Sequence, residues 1–152
     1  MRIVIQRVSK AKITIENKEQ MAMGEGLVVL LGITHSDCIE DVNWLVKKVV
    51  NLRIFNDEKG VMNRSIKDIK GAILVVSQFT LMASTKKGNR PTYLGAAKHE
   101  HAIPLYEFFL KMTSSALKKE ILSGKFGADM QIDLINDGPV TIIIDSQNKE
   151  QF

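Results

Sequence analysis

The chain of 152 residues contains a single cysteine, Cys38. Because a disulfide needs two thiols, no disulfide can form within one chain, and the fold does not depend on an oxidising compartment. A four-cysteine zinc site is excluded for the same reason. Histidine is also scarce, with three in the chain. His99 and His101 would point about 200° apart on a helix and could not share a metal ion, so we predict no metal site.

Long apolar runs are missing as well. The longest, Leu27–Ile33, is seven residues, far below the ~20 that cross a bilayer. Residues Met1–Val8 alternate apolar with polar side chains and lack the continuous apolar segment of a secretory signal. These absences favour a cytoplasmic protein without a membrane partner.

The glycine-containing motifs that bind nucleotides or that flank a catalytic serine are absent too. Gly24-Glu25-Gly26 precedes a strand, whereas phosphate-binding loops follow one, so neither a dinucleotide nor a phosphate loop is indicated. No Gly-x-Ser-x-Gly run marks a Ser-His-Asp triad. We expect no cofactor.

What remains is an ordinary globular composition, with 45% hydrophobic and 25% charged residues. The length suits a single domain, which we place at residues 1–145, followed by a polar tail at residues 146–152. The net charge of +4 is compatible with a nucleic-acid partner but is equally typical of many enzymes.

Hydrophobic periodicity predicts both strands and helices. Residues 27–31 and 72–79 are apolar without alternation, which is typical of strands buried on both faces. Helical spacing predicts one helix capped by Asp37 and ending near Asn51, and a second over His99–Leu117, whose apolar stripe ends at Ala116. Two alternating strands follow, joined at Asn136–Pro139. The sequence therefore predicts an α/β (α+β) domain with one large sheet and two main helices packed on it.

Two segments hold polar residues that plain structure explains poorly. Ser77-Gln78-Phe79-Thr80 ends a buried strand, where polar groups often line a cleft, although they could simply satisfy neighbouring backbone. Asn136-Asp137-Gly138-Pro139 precedes the last strand. Asp-Gly is a strong hairpin signal, so an ordinary turn is the favoured interpretation there.

Together these two segments resemble the signature of the D-aminoacyl-tRNA deacylases, Ser-Gln-Phe-Thr followed by Asn-x-Gly-Pro-Val-Thr. The similarity begins at Ile5-Gln6-Arg7-Val8 and runs collinearly over about residues 1–145. It departs at Thr92-Tyr93, where the family commonly has Ser-Phe. The resemblance implies a large mixed, partly barrel-like sheet with two helices.

The resemblance also implies an activity and its partners. It indicates an enzyme that hydrolyses the ester of D-aminoacyl-tRNA, extending to glycyl-tRNA mischarged on a non-cognate tRNA. It implies a homodimer with active sites at the interface, where Gly138 and Pro139 of one chain, joined by a cis bond, lie beside Ser77–Thr80 of the other. Carbonyl groups held there would exclude an L side chain by steric conflict.

Residue roles follow as hypotheses from that resemblance. Backbone N–H groups near Phe79 and Thr80 would form the oxyanion hole, and Ser77 and Gln78 would hold the ester and order a water. Thr80 could instead be a nucleophile, although no base for it is evident. The remaining candidates are Arg7 and Asn136 around the Gly-Pro loop, and Lys86, Lys87 and Arg90 for tRNA phosphates.

Two other classes stay open at this point. One is a non-catalytic RNA-binding protein on the same fold. The other is an esterase or amidase of small molecules, which would act on a free D-aminoacyl ester without tRNA.

Overall fold

A computed structural model describes residues 1–151; Phe152, the last residue of the predicted tail, lies outside the described residues. The helices are α1 (Ile39–Asn51) and α2 (His99–Leu117). The strands are β1 (Arg2–Ile15), β2 (Glu19–Met23), β3 (Gly26–Gly32), β4 (Phe55–Asn56), β5 (Met62–Arg64), β6 (Ala72–Ser77), β7 (Leu122–Ser123) and β8 (Met130–Asp145). Neither helix in this part of the chain is long and apolar enough to cross a membrane.

The sheet is organised around β1, which pairs antiparallel with β2, β3 and β8. The order β2-β1-β3-β6-β7, with β8 also on β1, gives six strands. Strands β3 and β6 run parallel, as do β6 and β7. Strands β3 and β6 are the two predicted to be buried on both faces, and their residues Leu27–Val29 and Ile73–Val76 are indeed buried.

Two hydrophobic cores lie on opposite faces of this sheet. On one face α1 and α2 pack together over Ile3, Ile5, Leu31 and their neighbours. The other core is formed by buried residues from β1, β2, β3 and β6 alone, among them Ile13 and Leu74. A core supplied by strands alone requires the sheet to curl over itself, so the predicted mixed α/β fold with a partly barrel-like sheet is confirmed.

Helix positions are predicted well, but their details need correction. The residue before α1 is Cys38, not Asp37, and the Asp41 carboxylate accepts from the Cys38 N–H at 3.0 Å. In α2 the stripe ends at Thr113 and Ala116 is exposed. Thr113 tolerates burial because its hydroxyl donates to the Phe109 carbonyl at 2.8 Å.

Asp37 stabilises the amino terminus instead of capping a helix. The Met1 ammonium and the Asp37 carboxylate form an ion pair in which both groups are fully buried. The ammonium also donates to the Ser146 hydroxyl at 2.8 Å, and the Gln147 amide donates to Asp37 at 2.8 Å. Part of the predicted polar tail therefore closes over Met1, the residue before β1.

The segment Asn136–Pro139 is not a hairpin turn, contrary to the favoured interpretation from its Asp-Gly pair. It lies inside β8, which pairs with β1 both before and after it. Asn136 lies opposite Val8 and Thr141 lies opposite Gln6. Residues 137–140 therefore bulge out against Arg7 alone, which creates a loop without ending the strand.

Candidate active site

The first polar segment lies where β6 leaves the sheet. The strand, expected to reach Phe79, ends at Ser77, and the Gln78 N–H donates to the Leu31 carbonyl of β3 at 2.8 Å. The chain then forms a short 3-10 helix, Phe79–Met82. The end of a buried parallel strand thus becomes a half-buried polar edge, as the sequence predicts.

A cleft of about 600 Å³ opens at this edge. Ser77, Gln78 and Phe79 lie in its wall, and Phe79 meets Tyr93 edge to face with ring centroids 5.0 Å apart. The opposite side comes from the start of α2 and from the segment before β8. Its lining there includes Lys98, His99, Phe126, Gly127, Ala128 and Asp129. A largely apolar cleft with a few polar groups is the usual form of a small-molecule site.

Thr80 is exposed beside this cleft. Its hydroxyl accepts from the Gln78 side-chain amide at 2.5 Å, so the two side chains orient each other. His99 is exposed and lines the cleft, and its ring meets Phe126 at 5.5 Å. Sequence reasoning did not select His99 or Phe126, because neither forms part of a local motif.

Tyr106 contacts Phe126, one of the residues that line the cleft, with ring centroids 5.6 Å apart. Its buried hydroxyl lies 3.1 Å from the carbonyl of Val75 and 3.1 Å from that of Gly124. Burial raises the pKa of Tyr106 far above its ordinary value, so the phenol remains a neutral donor. The end of β6 is thereby tied to the segment that carries Phe126.

The second segment forms the loop in β8, and Asn136 holds its ends together. The Asn136 carbonyl oxygen accepts from the Val140 N–H at 2.9 Å. Its amide donates to the Gln6 side chain at 2.6 Å and to the Thr141 hydroxyl at 2.9 Å. Within this loop the Gly138–Pro139 bond is cis, as expected.

Arg7 supports the loop from below. The side chain is buried, yet its guanidinium donates to the Ile54 carbonyl at 2.6 Å and to the Asp137 carbonyl at 3.1 Å. Gly138 has φ +121° and lies against it: a Cβ there would be 2.8 Å from Arg7 Nη2 and 2.8 Å from the Val140 side chain. Only glycine fits this position.

Within one chain the two segments do not share a site. Among the described residues that line the cleft, neither Gly138 nor Pro139 occurs, and both are exposed. Ile135 and Ile143 of β8 are also 50% and 48% exposed.

The basic residues Lys86, Lys87 and Arg90 lie in a surface loop. Ser84 and Thr92 close its base through two backbone hydrogen bonds of 2.9 Å each, and the side chains between them are exposed. Elsewhere in residues 1–151, no group of three His, Cys, Asp or Glu side chains is arranged to hold a metal ion.

Comparison with known proteins extends these observations. The family model described as D-Tyr-tRNA(Tyr) deacylase matches residues 4–145. A D-aminoacyl-tRNA deacylase of Bacteroides thetaiotaomicron is 61% identical over 150 residues, covering 99% of this chain and all of the relative. One from Cytophaga hutchinsonii is 60% identical over 97% of this chain and 98% of its own length.

Solved structures agree. A c-Myc DNA unwinding element binding protein superposes with a TM-score of 0.89 at 42% identity, covering 95% of this chain and 98% of its own. A probable eukaryotic D-amino acid tRNA deacylase shares the fold, with a TM-score of 0.82 at 18% identity over 94% and 97% of the two chains. The resemblance seen in the two motifs is thus confirmed over nearly the whole length. The chain belongs to the D-Tyr-tRNA(Tyr) deacylase family.

Proposed function

We propose that this protein is an enzyme that hydrolyses the ester bond of D-aminoacyl-tRNA, releasing the free D-amino acid and tRNA. Family membership supports the reaction. The observation that carries the proposal is the cleft at the end of β6, into which the Ser77–Phe79 segment faces. Glycyl-tRNA mischarged on a non-cognate tRNA is a further substrate of the proposal, because glycine has no side chain to reject.

Catalysis in this proposal rests on backbone and hydroxyl groups. The N–H groups of Phe79 and Thr80 begin the 3-10 helix, and the first amides of a helix lack an intrahelical acceptor. They are therefore available to stabilise the oxyanion, a contribution of about 2.7–4 kcal/mol per donor. Ser77 and Gln78 hold the ester and order the attacking water, and the neighbouring ribose 2′-hydroxyl assists the proton transfer.

Selection against L-aminoacyl groups is assigned to a second subunit. The exposed Gly138 and Pro139 lie outside their own chain's cleft, which supports insertion into the cleft of a partner. The exposed Ile135 and Ile143, on the same strand, supply apolar area for such an interface. Arg7 and Asn136 keep the loop in one conformation, as steric rejection requires. The functional unit is therefore a homodimer with two interface sites.

Binding of tRNA is assigned to Lys86, Lys87 and Arg90, whose exposed side chains suit phosphate contacts. No cofactor is needed for ester hydrolysis by these groups. In this proposal residues 1–145 act as a single deacylase domain, and the protein works in the cytoplasm, where aminoacyl-tRNA is used.

The decisive experiment compares hydrolysis of D-tyrosyl-tRNA and L-tyrosyl-tRNA with a chelator present. We expect rapid release of D-tyrosine and no measurable release of L-tyrosine. Turnover of both esters would contradict the chiral filter. A catalytically active monomer in sedimentation analysis would contradict the interface site.

The same assay separates the alternatives. A non-catalytic RNA-binding protein on the same fold would bind tRNA without hydrolysing either ester. This alternative is supported by the 42% identical structure, which is that of a protein named for binding a DNA unwinding element. A small-molecule esterase would instead cleave a free D-tyrosine ester as fast as D-tyrosyl-tRNA.

Thr80 distinguishes a backbone mechanism from a covalent one. Thr80→Val removes the hydroxyl but keeps the backbone N–H. We expect its single-turnover rate to fall by no more than about tenfold, against the ~10²–10³ lost with an oxyanion donor. A variant that folds and binds tRNA but cleaves nothing would instead indicate that the hydroxyl is the nucleophile.

A further inference from the structure

The short 3-10 helix that follows Ser77 is held at its far end by Arg2. Arg2 Nη1 donates to the carbonyl oxygen of Leu81 at 2.9 Å. The other edge of the same guanidinium contacts the Asp145 carboxylate, from Nε at 3.0 Å and from Nη2 at 2.9 Å. One side chain therefore links the first residue of β1, the last residue of β8 and the helix.

This link matters because the helix has few other fixed points. At its start, the Gln78 N–H is bonded to the carbonyl of Leu31. The Thr80 carbonyl accepts from the Ala83 N–H within the turn, whereas the Leu81 carbonyl accepts from Arg2, so this outside donor helps to fix the orientation of the helix. The helix also packs closely on Gly32, where a Cβ would be 2.9 Å from the Met82 side chain and 3.0 Å from the Gln78 carbonyl.

We propose that Arg2 is a positioning residue of the deacylation site and that Asp145 orients it. This inference rests on the proposed function, because the amides that it positions are those of Phe79 and Thr80. Arg2 holds the carbonyl of Leu81 so that these amides, at the other end of the same helix, keep a fixed direction toward the cleft. Reactions that depend on preorganised donors are sensitive to displacements of about 1 Å.

The chemistry of the guanidinium explains why arginine is suited to this place. Its planar fork presents N–H groups on two edges, so it can engage a carboxylate and a backbone carbonyl at once, which a lysine ammonium does less well. Arg2 is 42% exposed and Asp145 is 15% exposed, so solvent screens their attraction in part. The role of the pair is therefore geometric rather than a large stabilisation.

The test uses Arg2→Ala, Arg2→Lys and Asp145→Asn, with Arg53→Ala as the matched control. Arg53 also donates to a backbone carbonyl, that of Asn63 at 2.8 Å, but it lies just before β4 and its acceptor lies in β5. We expect Arg2→Ala to lower the single-turnover rate on D-tyrosyl-tRNA by about 10- to 100-fold. The rates of Arg2→Lys and Asp145→Asn should lie between those of Arg2→Ala and the wild type. The rate of Arg53→Ala should equal that of the wild type.

Hydrogen exchange supplies a readout that does not depend on activity. The amides of Leu81 and Ala83 bond within the 3-10 turn, to the carbonyls of Gln78 and Thr80. Both should exchange faster in Arg2→Ala than in Arg53→Ala, while the amides of β1 away from residue 2 should not change. Affinity for tRNA should stay within about threefold of the wild type.

Three results would overturn the proposal. One is a wild-type rate in Arg2→Ala. Another is unchanged exchange at Leu81 and Ala83. The third is a rate loss matched by an equal loss of tRNA affinity, because that would make Arg2 a phosphate contact. If Arg2→Ala fails to fold, Arg2→Lys and Asp145→Asn decide the question by the same measurements. An inactive wild type would contradict the proposed function, whereas the exchange data would still test the role of Arg2.

Discussion

The loop at residues 137–140 and the loop at residues 84–92 are both exposed, but they are held very differently. The first is enclosed by a long strand pair and tied by Asn136 and the buried Arg7. The second is closed at its base by Ser84 and Thr92, and its basic side chains extend into solvent.

This contrast matches the two tasks that we assign to them. Rejecting a substituent on one carbon requires atoms that do not move aside, so the discriminating loop must be rigid. Attraction of phosphates acts over several ångströms and tolerates a mobile side chain. Changes in the first loop should therefore alter catalysis strongly, and changes in the second should alter binding weakly and in a salt-dependent way.

The largest effect should come from Gly138→Ala. The added Cβ would meet Arg7 Nη2 and the Val140 side chain at 2.8 Å each, so the loop must shift. We expect kcat/KM on D-tyrosyl-tRNA to fall by about 10²-fold. Gly60→Ala is the matched control, because Gly60 also has a positive φ of +77° but has open space around it. Equal activity of the two variants would contradict a rigid loop.

Arg7→Lys should rank next. A lysine cannot reach both the Ile54 and the Asp137 carbonyls, so one acceptor loses its partner, at a cost of about 1–3 kcal/mol in unfolding free energy where that acceptor is the buried Ile54 carbonyl. Urea denaturation measures this loss, and the deacylation rate should fall with it. Arg53→Lys, at the exposed neighbour of Ile54, is the control and should change neither quantity. If Arg7→Lys is destabilised but deacylates at the wild-type rate, the contacts of Arg7 with the loop are not needed for catalysis.

The smallest effects belong to the basic loop. We expect no change in stability from Lys86→Ala, Lys87→Ala or Arg90→Ala. Each variant should make the negative slope of log K against log salt shallower by about one unit for each phosphate contact that is lost. Titrations of tRNA at several salt concentrations measure this slope. Lys59→Ala, in a different exposed loop, should keep the wild-type slope. If it behaves like the other three, binding reflects net charge and not this loop.

The sequence predicts much of the fold because local patterns carry it. The limits of α2 and the presence of the two strands buried on both faces follow from apolar spacing, although β6 ends at Ser77, two residues before the predicted Phe79. The two deacylase motifs are equally visible.

What could not be predicted depends on partners distant in sequence. Asp137-Gly138 looks like a hairpin locally, and only pairing with β1, about 130 positions away, makes it a bulge. Asp37 resembles a helix cap, but the Met1 ammonium competes for its carboxylate. Arg2 belongs to no motif, and its contact with Leu81 exists only after β1 and β6 are assembled.

The bulge of four residues against one has a consequence for how such a protein can diverge. Both ends of the loop are registered on the same neighbouring strand, so a change in one of its exposed side chains leaves the ladder on either side paired. Selectivity can then drift by substitutions within residues 137–140 without loss of foldability. A lineage could in this way relax or sharpen its choice of acyl group while the scaffold remains unchanged.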